Sequence, residues 1–211
     1  MNLKEKFKKT IFFLEKEFPN SETELNYKSP FQLLVSVILS AQCTDKRVNI
    51  ITKNLFEKYP DAKSLSKASE KEIYEFIKTC SYPNNKTNYI LNMSKKLIED
   101  FNEIIPSDLE NLQKLKGVGR KTANVILSII YKKPAMAVDT HVFRVSKRIG
   151  LTKKEKTVLE TEKKLIKYIP KNLIAKSHHL LLLQGRYICK ARKPNCKICK
   201  LNEFCDFFLE N

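Results

Sequence analysis

The fold of this chain is decided by the stretch Leu115-Lys116-Gly117-Val118-Gly119-Arg120-Lys121-Thr122-Ala123. The whole sequence contains only four glycines, and two of them fall within these few residues. Glycine has no Cβ, so it adopts turn conformations that other residues avoid. We therefore predict a helix over 107–114, a tight turn at 117–119 and a second helix over 120–131.

A helix that begins directly after a glycine turn offers a favourable site for an anion. Its first backbone N–H groups lack partners within the helix, and the helix dipole adds positive potential there. Basic side chains surround the turn at Lys116, Arg120 and Lys121. The pattern therefore predicts contacts with phosphate groups. The alternative is that this turn is only a structural corner between two helices and binds no phosphate.

Helical periodicity continues through most of the chain. Apolar residues recur at helical spacing over 7–18, 31–39, 70–79, 86–98, 121–131, 141–149 and 156–169. A Ser or Thr followed three residues later by Glu indicates a helix start, as at Ser21/Glu24, Ser69/Glu72, Ser107/Glu110 and Thr152/Glu155. Gly150 is expected to end the helix over 141–149. Strand patterns are absent, so the sequence predicts an all-α protein.

Composition and charge narrow the function. The chain has 211 residues and a formal net charge of +17, from 40 Lys and Arg against 23 Asp and Glu. Such an excess attracts polyanions such as nucleic acid, although a lysine-rich surface can also serve solubility alone. No apolar run is long enough for a bilayer, and the N-terminus lacks a signal-peptide pattern. We expect a cytoplasmic protein that does not bind membranes.

Four of the six cysteines cluster near the C-terminus, with the spacing Cys189-x6-Cys196-x2-Cys199-x5-Cys205. In a chain without a secretion signal, this clustering indicates a metal site rather than disulfides. Four thiolates hold either a [4Fe–4S] cluster or one zinc ion, but structural zinc usually uses two close cysteine pairs. The spacing here favours the cluster. Cys43 and Cys80 stand alone in the sequence and are expected to be buried, inert thiols.

The glycine stretch, the cysteine spacing and the segment Val138-Asp139-Thr140-His141 together resemble the endonuclease III family of helix–hairpin–helix DNA glycosylases. The resemblance covers nearly the whole chain. It implies two helical lobes with a DNA-binding cleft. A six-helix barrel-type domain with the hairpin would span 22–134. An N-/C-terminal domain would join 1–21 to 135–211 and carry the [4Fe–4S] cluster.

The resemblance also implies a mechanism. Lys121 would attack C1′ of a damaged nucleotide, displace the base and form an imine, and β-elimination would then cut the strand 3′ to the abasic sugar. A lysine amine attacks only when it is unprotonated, a form that a helix N-terminus and a neighbouring cation favour. Asp139 would balance charge or move a proton. Taken alone, these two residues are equally a surface lysine and a helix-capping aspartate.

The segment Leu39-Ser40-Ala41-Gln42-Cys43-Thr44-Asp45 matches the family pattern LSAQxTD, in which the glutamine enters the space left by an extruded base. The loop at 79–86 departs from the family, because Tyr82 stands where a leucine wedge is common. An aromatic ring can also stack between bases. The implied DNA contacts are Gln42, Asp45, Tyr82, Lys116, Gly117, Val118, Gly119, Arg120, His141 and Arg144.

The implied partner is double-stranded DNA that carries damaged bases, chiefly oxidised or ring-saturated pyrimidines, or abasic sites. The implied protein is a monomeric, nucleoid-associated bacterial enzyme. One rival is a glycosylase for mispairs without lyase activity, against which Lys121 argues. The other rival is a non-catalytic DNA-binding module with a zinc-stabilised basic loop.

Overall fold

A computed structural model describes residues 1–210, which form helices and no β-strand. The all-α class is therefore confirmed. The α-helices are α1 (Leu3–Glu17), α2 (Pro30–Leu39), α3 (Asp45–Lys58), α4 (Ala62–Ser66), α5 (Glu70–Ile77), α6 (Pro83–Phe101), α7 (Leu109–Gln113), α8 (Arg120–Ile129), α9 (Thr140–Ile149), α10 (Val158–Tyr168), α11 (Ile174–Leu183) and α12 (Asp206–Leu209). None of the helices in this range has the length and hydrophobicity that a membrane crossing requires.

The chain folds as two compact units. Glu24–Tyr131 form the first, called here the hairpin unit because it contains the glycine turn. The second joins Met1–Thr23 to the chain from Lys132 onward, and is called the cysteine unit because it contains the cysteine cluster. Its first part is therefore separated from the rest by the whole of the hairpin unit.

The hairpin unit is built around α2. Every residue from Phe31 to Leu39 is buried, as expected of a helix that is apolar on all faces. Ser29 caps its N-terminus, and Pro30 occupies the first turn, where a missing N–H is tolerated. Helices α3, α6 and α8 pack around it, and α4 and α5 pack against α6. The helices next to the glycine turn and next to the 40–44 loop thus share one core.

The core of the cysteine unit combines residues from both ends of the chain. Phe7, Ile11 and Leu14 of α1 pack in one cluster with apolar residues of α9 and α11. Leu201 and Cys205, from the cysteine segment, belong to the same cluster. The N-terminal helix is thus part of the core that supports the cysteines.

A buried lysine connects α1 to the segment after the last cysteine. The Lys6 Nζ atom donates to the carbonyl oxygen of Ile149 at 3.1 Å and forms an ion pair with Asp206. Lys153 also pairs with Asp206, at 2.7 Å. Because Lys6 is buried and Asp206 is largely buried, water cannot replace these bonds when one partner is removed.

We expect Lys6→Met to lower the free energy of unfolding by roughly 2–3 kcal/mol, because it leaves a partly buried carboxylate with one partner fewer. Urea unfolding followed by circular dichroism measures the change. Lys9→Met is the matched control, since Lys9 forms only an exposed pair with Glu5 on the same helix. Equal losses in the two variants would contradict the assigned role of Lys6.

The periodicity misses α3 and α11. Helix α3 carries many charged side chains, and in α11 the polar residues 176–179 stand together before a run of four leucines, so neither sequence shows a clear apolar face. Gly150 does end α9, with a φ of 92°, as predicted.

The capping signals are only partly correct. Ser69 and Glu72 form the expected capping box of α5, and hydrogen bonds from the Ser69 backbone, with Lys58, lower the pKa of Glu72 to about 2. The other three predictions are wrong. No helix follows the pair Ser21/Glu24, and Asp108 rather than Ser107 caps α7. Helix α10 starts beyond Thr152/Glu155 and is capped by a later box, formed by Thr157 and Glu160.

Candidate functional site

The glycine stretch forms the predicted helix–turn–helix. Helix α7 ends at Gln113, and the turn closes with a hydrogen bond of 3.1 Å from the Val118 N–H to the carbonyl oxygen of Leu115. These two apolar side chains are buried and anchor the turn. The residues exposed around it are Lys116, Gly119, Arg120 and Lys121. The turn thus presents its backbone and its basic side chains to solvent.

The two glycines of the turn serve different purposes. Gly117 has a φ of 79°, and a Cβ there would lie 2.8 Å from the Cβ of Tyr89 on α6. Gly119 has a φ of −84°, and no heavy atom lies within 4 Å of a Cβ placed on it. The fold therefore requires Gly117, whereas Gly119 leaves open space at the N-terminus of α8.

Two loops of the hairpin unit carry the predicted base-contacting residues. Gln42 follows α2, is exposed, and has a φ of 55°. Tyr82 precedes α6, is 60% exposed, and has a φ of 54°. Left-handed backbone is uncommon for residues other than glycine and persists only where the surroundings enforce it. Asp45 is the half-buried first residue of α3.

The side chains of Cys43 and Cys80, which stand alone in the sequence, lie near each other in the structure. Burial raises the pKa of the Cys80 thiol, whose sulfur also donates to the carbonyl oxygen of Leu39 at 3.3 Å. Cys80 is buried as expected, but Cys43 is only half-buried. No local sequence signal connects two cysteines so far apart in the chain.

In the cysteine unit, Asp139 caps α9. Its Oδ1 atom accepts hydrogen bonds of 2.9 Å from the backbone N–H groups of His141 and Val142. Its Oδ2 atom lies 3.3 Å from His141 Nδ1. The capping role suggested by the sequence is therefore confirmed, and the carboxylate is held in one orientation. Its catalytic role stays a prediction.

Two arginines of α9 hold the cysteine segment. Arg144 donates to the carbonyl oxygens of Cys189 and Gly185, at 3.1 and 2.9 Å. Arg148 donates to the carbonyl oxygens of Lys190 and Ala191, at 2.7 and 3.1 Å. The guanidinium of Arg144 is thus engaged inside the protein, and its predicted DNA contact stays a prediction. Arg148 was missed, because nothing in the sequence separates it from a surface arginine.

The four clustered cysteines line one pocket, together with apolar side chains that include Ile188, Leu201 and Phe207. Gln184 donates a hydrogen bond of 3.2 Å to the Cys199 sulfur. Arg148 donates a hydrogen bond of 3.5 Å to the Cys189 sulfur. The pocket therefore combines thiol sulfurs, an apolar wall and N–H donors directed at sulfur.

A family model for HhH-GPD superfamily base excision DNA repair proteins matches residues 35–171. The endonuclease III of Rickettsia prowazekii is 46% identical over 95% of this chain and 94% of its own length. The chain belongs to the endonuclease III family. The endonuclease III of Bacillus subtilis is also 46% identical, over 89% of this chain and 86% of its own length.

The solved structures agree with the family. A trapped endonuclease III–DNA covalent intermediate, described as an estranged-adenine complex, superposes with a TM-score of 0.95 at 42% identity. The match covers 100% of this chain and 99% of that one. The protein is accordingly a DNA glycosylase and AP lyase of base excision repair.

The two turn glycines give a direct test of the hairpin. Gly117→Ala should lower the free energy of unfolding by about 2 kcal/mol, because it strains the left-handed backbone and clashes with Tyr89. Gly119→Ala should leave stability unchanged but weaken binding to duplex DNA several-fold, since a methyl group would occupy the open approach to the α8 N-terminus. Urea unfolding and fluorescence anisotropy measure the two effects. Unchanged affinity in Gly119→Ala would rule out a close phosphate contact there.

Proposed function

We propose that this enzyme excises oxidised pyrimidines from double-stranded DNA and cuts the strand 3′ to the abasic site by β-elimination. The observation that carries the proposal is the placement of Lys121, which is exposed in the first turn of α8, two residues after the open Gly119. A trapped covalent intermediate of a similar protein with DNA supports a nucleophilic mechanism. The similar endonuclease III proteins are bacterial, so we propose that the reaction takes place on bacterial DNA in the cytoplasm.

Lys121 is the proposed nucleophile. Its unprotonated amine attacks C1′, and the electron pair of the glycosidic bond leaves with the base, which gains a proton. The amine loses a proton, the sugar ring opens and an imine forms. Loss of a C2′ proton then expels the 3′ phosphate, and water hydrolyses the imine to regenerate the lysine.

Asp139 is the proposed partner in these proton transfers. Its two N–H bonds fix the carboxylate, which is a requirement for a group that stabilises charge without reorganising. His141, whose ring faces the second carboxylate oxygen, is a further candidate for a DNA contact.

The hairpin is the proposed phosphate clamp. The N–H groups of the turn and of the first turn of α8 would bind one phosphate, with Lys116 and Arg120 adding positive charge. These contacts position the duplex and are independent of its sequence. Val118 would act by anchoring the turn, because its side chain is buried and its N–H already donates to the carbonyl oxygen of Leu115.

Gln42 and Tyr82 are the proposed groups that fill the space left by the extruded base. A glutamine amide both donates and accepts hydrogen bonds, so it suits several orphaned partner bases. Tyr82 is a large aromatic residue that the fold leaves 60% exposed, which suits a side chain that intercalates. Asp45, at the start of α3, would orient the same loop.

The four cysteines would hold a [4Fe–4S] cluster. The four thiols line one pocket, with an apolar wall and N–H donors directed at sulfur. Their spacing contains one close cysteine pair, whereas structural zinc usually uses two, and this supports the cluster. When bound, the cluster would order the basic segment between its ligands.

Borohydride trapping on a duplex with one oxidised pyrimidine tests the mechanism. The wild type should form a covalent protein–DNA adduct, because the reagent reduces the imine. Lys121→Ala should form none, and Lys95→Ala, which removes an exposed lysine of α6, should trap normally. If Lys121→Ala still forms the covalent adduct, another amine of the protein forms the imine. Failure of the wild type on several pyrimidine lesions would favour the mispair glycosylase or the non-catalytic module.

Metal analysis tests the cofactor. The protein purified without oxygen should be yellow-brown and contain about four iron atoms per chain. Cys196→Ser should lose iron and colour, whereas Cys43→Ser, which changes a cysteine outside the cluster, should keep both. A colourless protein with one zinc ion would overturn the cluster assignment.

A further inference from the structure

Lys86 is a buried lysine whose bonding partners are all neutral. It lies in the first turn of α6, and only 3% of the residue is exposed. Its Nζ atom lies 2.8 Å from the carbonyl oxygen of Leu39 and 2.6 Å from that of Ala41. It lies 3.1 Å from the Ser81 hydroxyl and 3.3 Å from the Cys80 sulfur. Leu39 ends α2 and Ala41 lies in the loop after it, whereas Cys80 and Ser81 belong to the loop before α6.

The Lys86 ammonium group is stabilised by the C-terminal end of α2 and not by α6, the helix to which Lys86 belongs. A cation is unfavourable in the first turn of a helix, because the dipole is positive there. The last carbonyl groups of a helix lack intrahelical partners and carry the negative end of the dipole. Leu39 is the last residue of α2, so Lys86 supplies N–H donors where a buried helix ends. These bonds offset part of the large desolvation penalty of a buried charge.

Ser81 connects the loop before α6 to the backbone of Gln42. Its hydroxyl lies 2.8 Å from the carbonyl oxygen of Gln42 and 3.2 Å from that of Ala41. The hydroxyl also accepts from Lys86. Ser81 directly precedes Tyr82, so one side chain connects the backbones of the two loops.

The two loops need such a connection. Gln42 and Tyr82 both have left-handed backbone, which costs on the order of 1–3 kcal/mol per residue unless the surroundings enforce it. Both side chains are exposed and have few contacts of their own to fix them. The bonds of Lys86 and Ser81, together with the bond from the Cys80 thiol to the carbonyl oxygen of Leu39, join the two loops.

We propose that Lys86 is a positioning residue which, through Ser81, holds Gln42 and Tyr82 in the arrangement that fills the space of an extruded base. The proposal rests on the proposed function and deepens it. Lys86 contacts no reacting atom, so it governs base extrusion and leaves the lysine chemistry unaffected. An abasic site in single-stranded DNA requires no base pair to be opened, so its cleavage is independent of this arrangement.

The test compares two substrates under single-turnover conditions, a duplex with one oxidised pyrimidine and a single strand with one abasic site. Ser81→Ala should lower the excision rate on the duplex by about tenfold and leave single-strand cleavage unchanged. Ser81→Thr, which keeps the hydroxyl, should restore the duplex rate. Lys86→Met should show a larger selective loss, provided that circular dichroism confirms its fold. Ser66→Ala, which removes an exposed hydroxyl on α4, is the control and should match the wild type.

An equal loss on the two substrates would show a merely structural role and overturn the proposal, as would an unchanged duplex rate in Ser81→Ala. Amide hydrogen exchange of residues 40–43 and 80–82 in the DNA-free protein provides an independent measurement. Exchange should be faster in Ser81→Ala than in wild type, and equal exchange rates would contradict the proposal that Ser81 holds the two loops together. A wild type inactive on both substrates would instead refute the proposed function, while exchange still reports on the two loops.

Discussion

Burial of α2 on all its faces is the constraint on which the hairpin unit depends. A helix with no solvent-facing side must be surrounded, and α3, α6 and α8 surround it. Their packing fixes the N-terminus of α8, where Lys121 lies, and the loop that leaves α2, where Gln42 lies. The residues assigned to catalysis and to DNA contacts therefore occupy helix ends and loops, while the core holds those ends in place. The internal bonds of Lys86 follow from the same burial, since the last carbonyl groups of a buried helix need donors.

Sequence reasoning succeeded where a feature depends on a few neighbouring residues. The hairpin follows from two glycines, the cap of α9 from Asp139, and the grouping of the cysteines from their spacing. It failed where the cause is distant in the chain. Helix α3 is stabilised by packing against α2 and α5 rather than by its own sequence pattern. The pairs Ser21/Glu24 and Thr152/Glu155 show that the capping motif also occurs where no helix starts. The bonds of Arg148, the Cys43–Cys80 contact and the position of Lys86 all join residues far apart in sequence.

The net charge of +17 does not tell how many basic residues are available to contact DNA. Lys6 and Lys86 are buried, and the guanidinium groups of Arg144 and Arg148 bind backbone carbonyl oxygens. Some of the basic residues thus stabilise the interior of the protein. The remaining excess still attracts DNA, and the proposed duplex contacts depend on the few basic residues exposed around the hairpin rather than on the total charge.

The discontinuous cysteine unit has a consequence for synthesis on the ribosome. The hairpin unit is continuous in sequence, so all of its core is available once Tyr131 has left the exit tunnel. Helix α1 is made before the hairpin unit, whereas its core partners on α9, on α11 and in the cysteine segment all follow that unit in the chain. Its apolar face therefore stays without its native contacts while the whole hairpin unit is synthesised, so the cysteine unit folds only after the hairpin unit has been made.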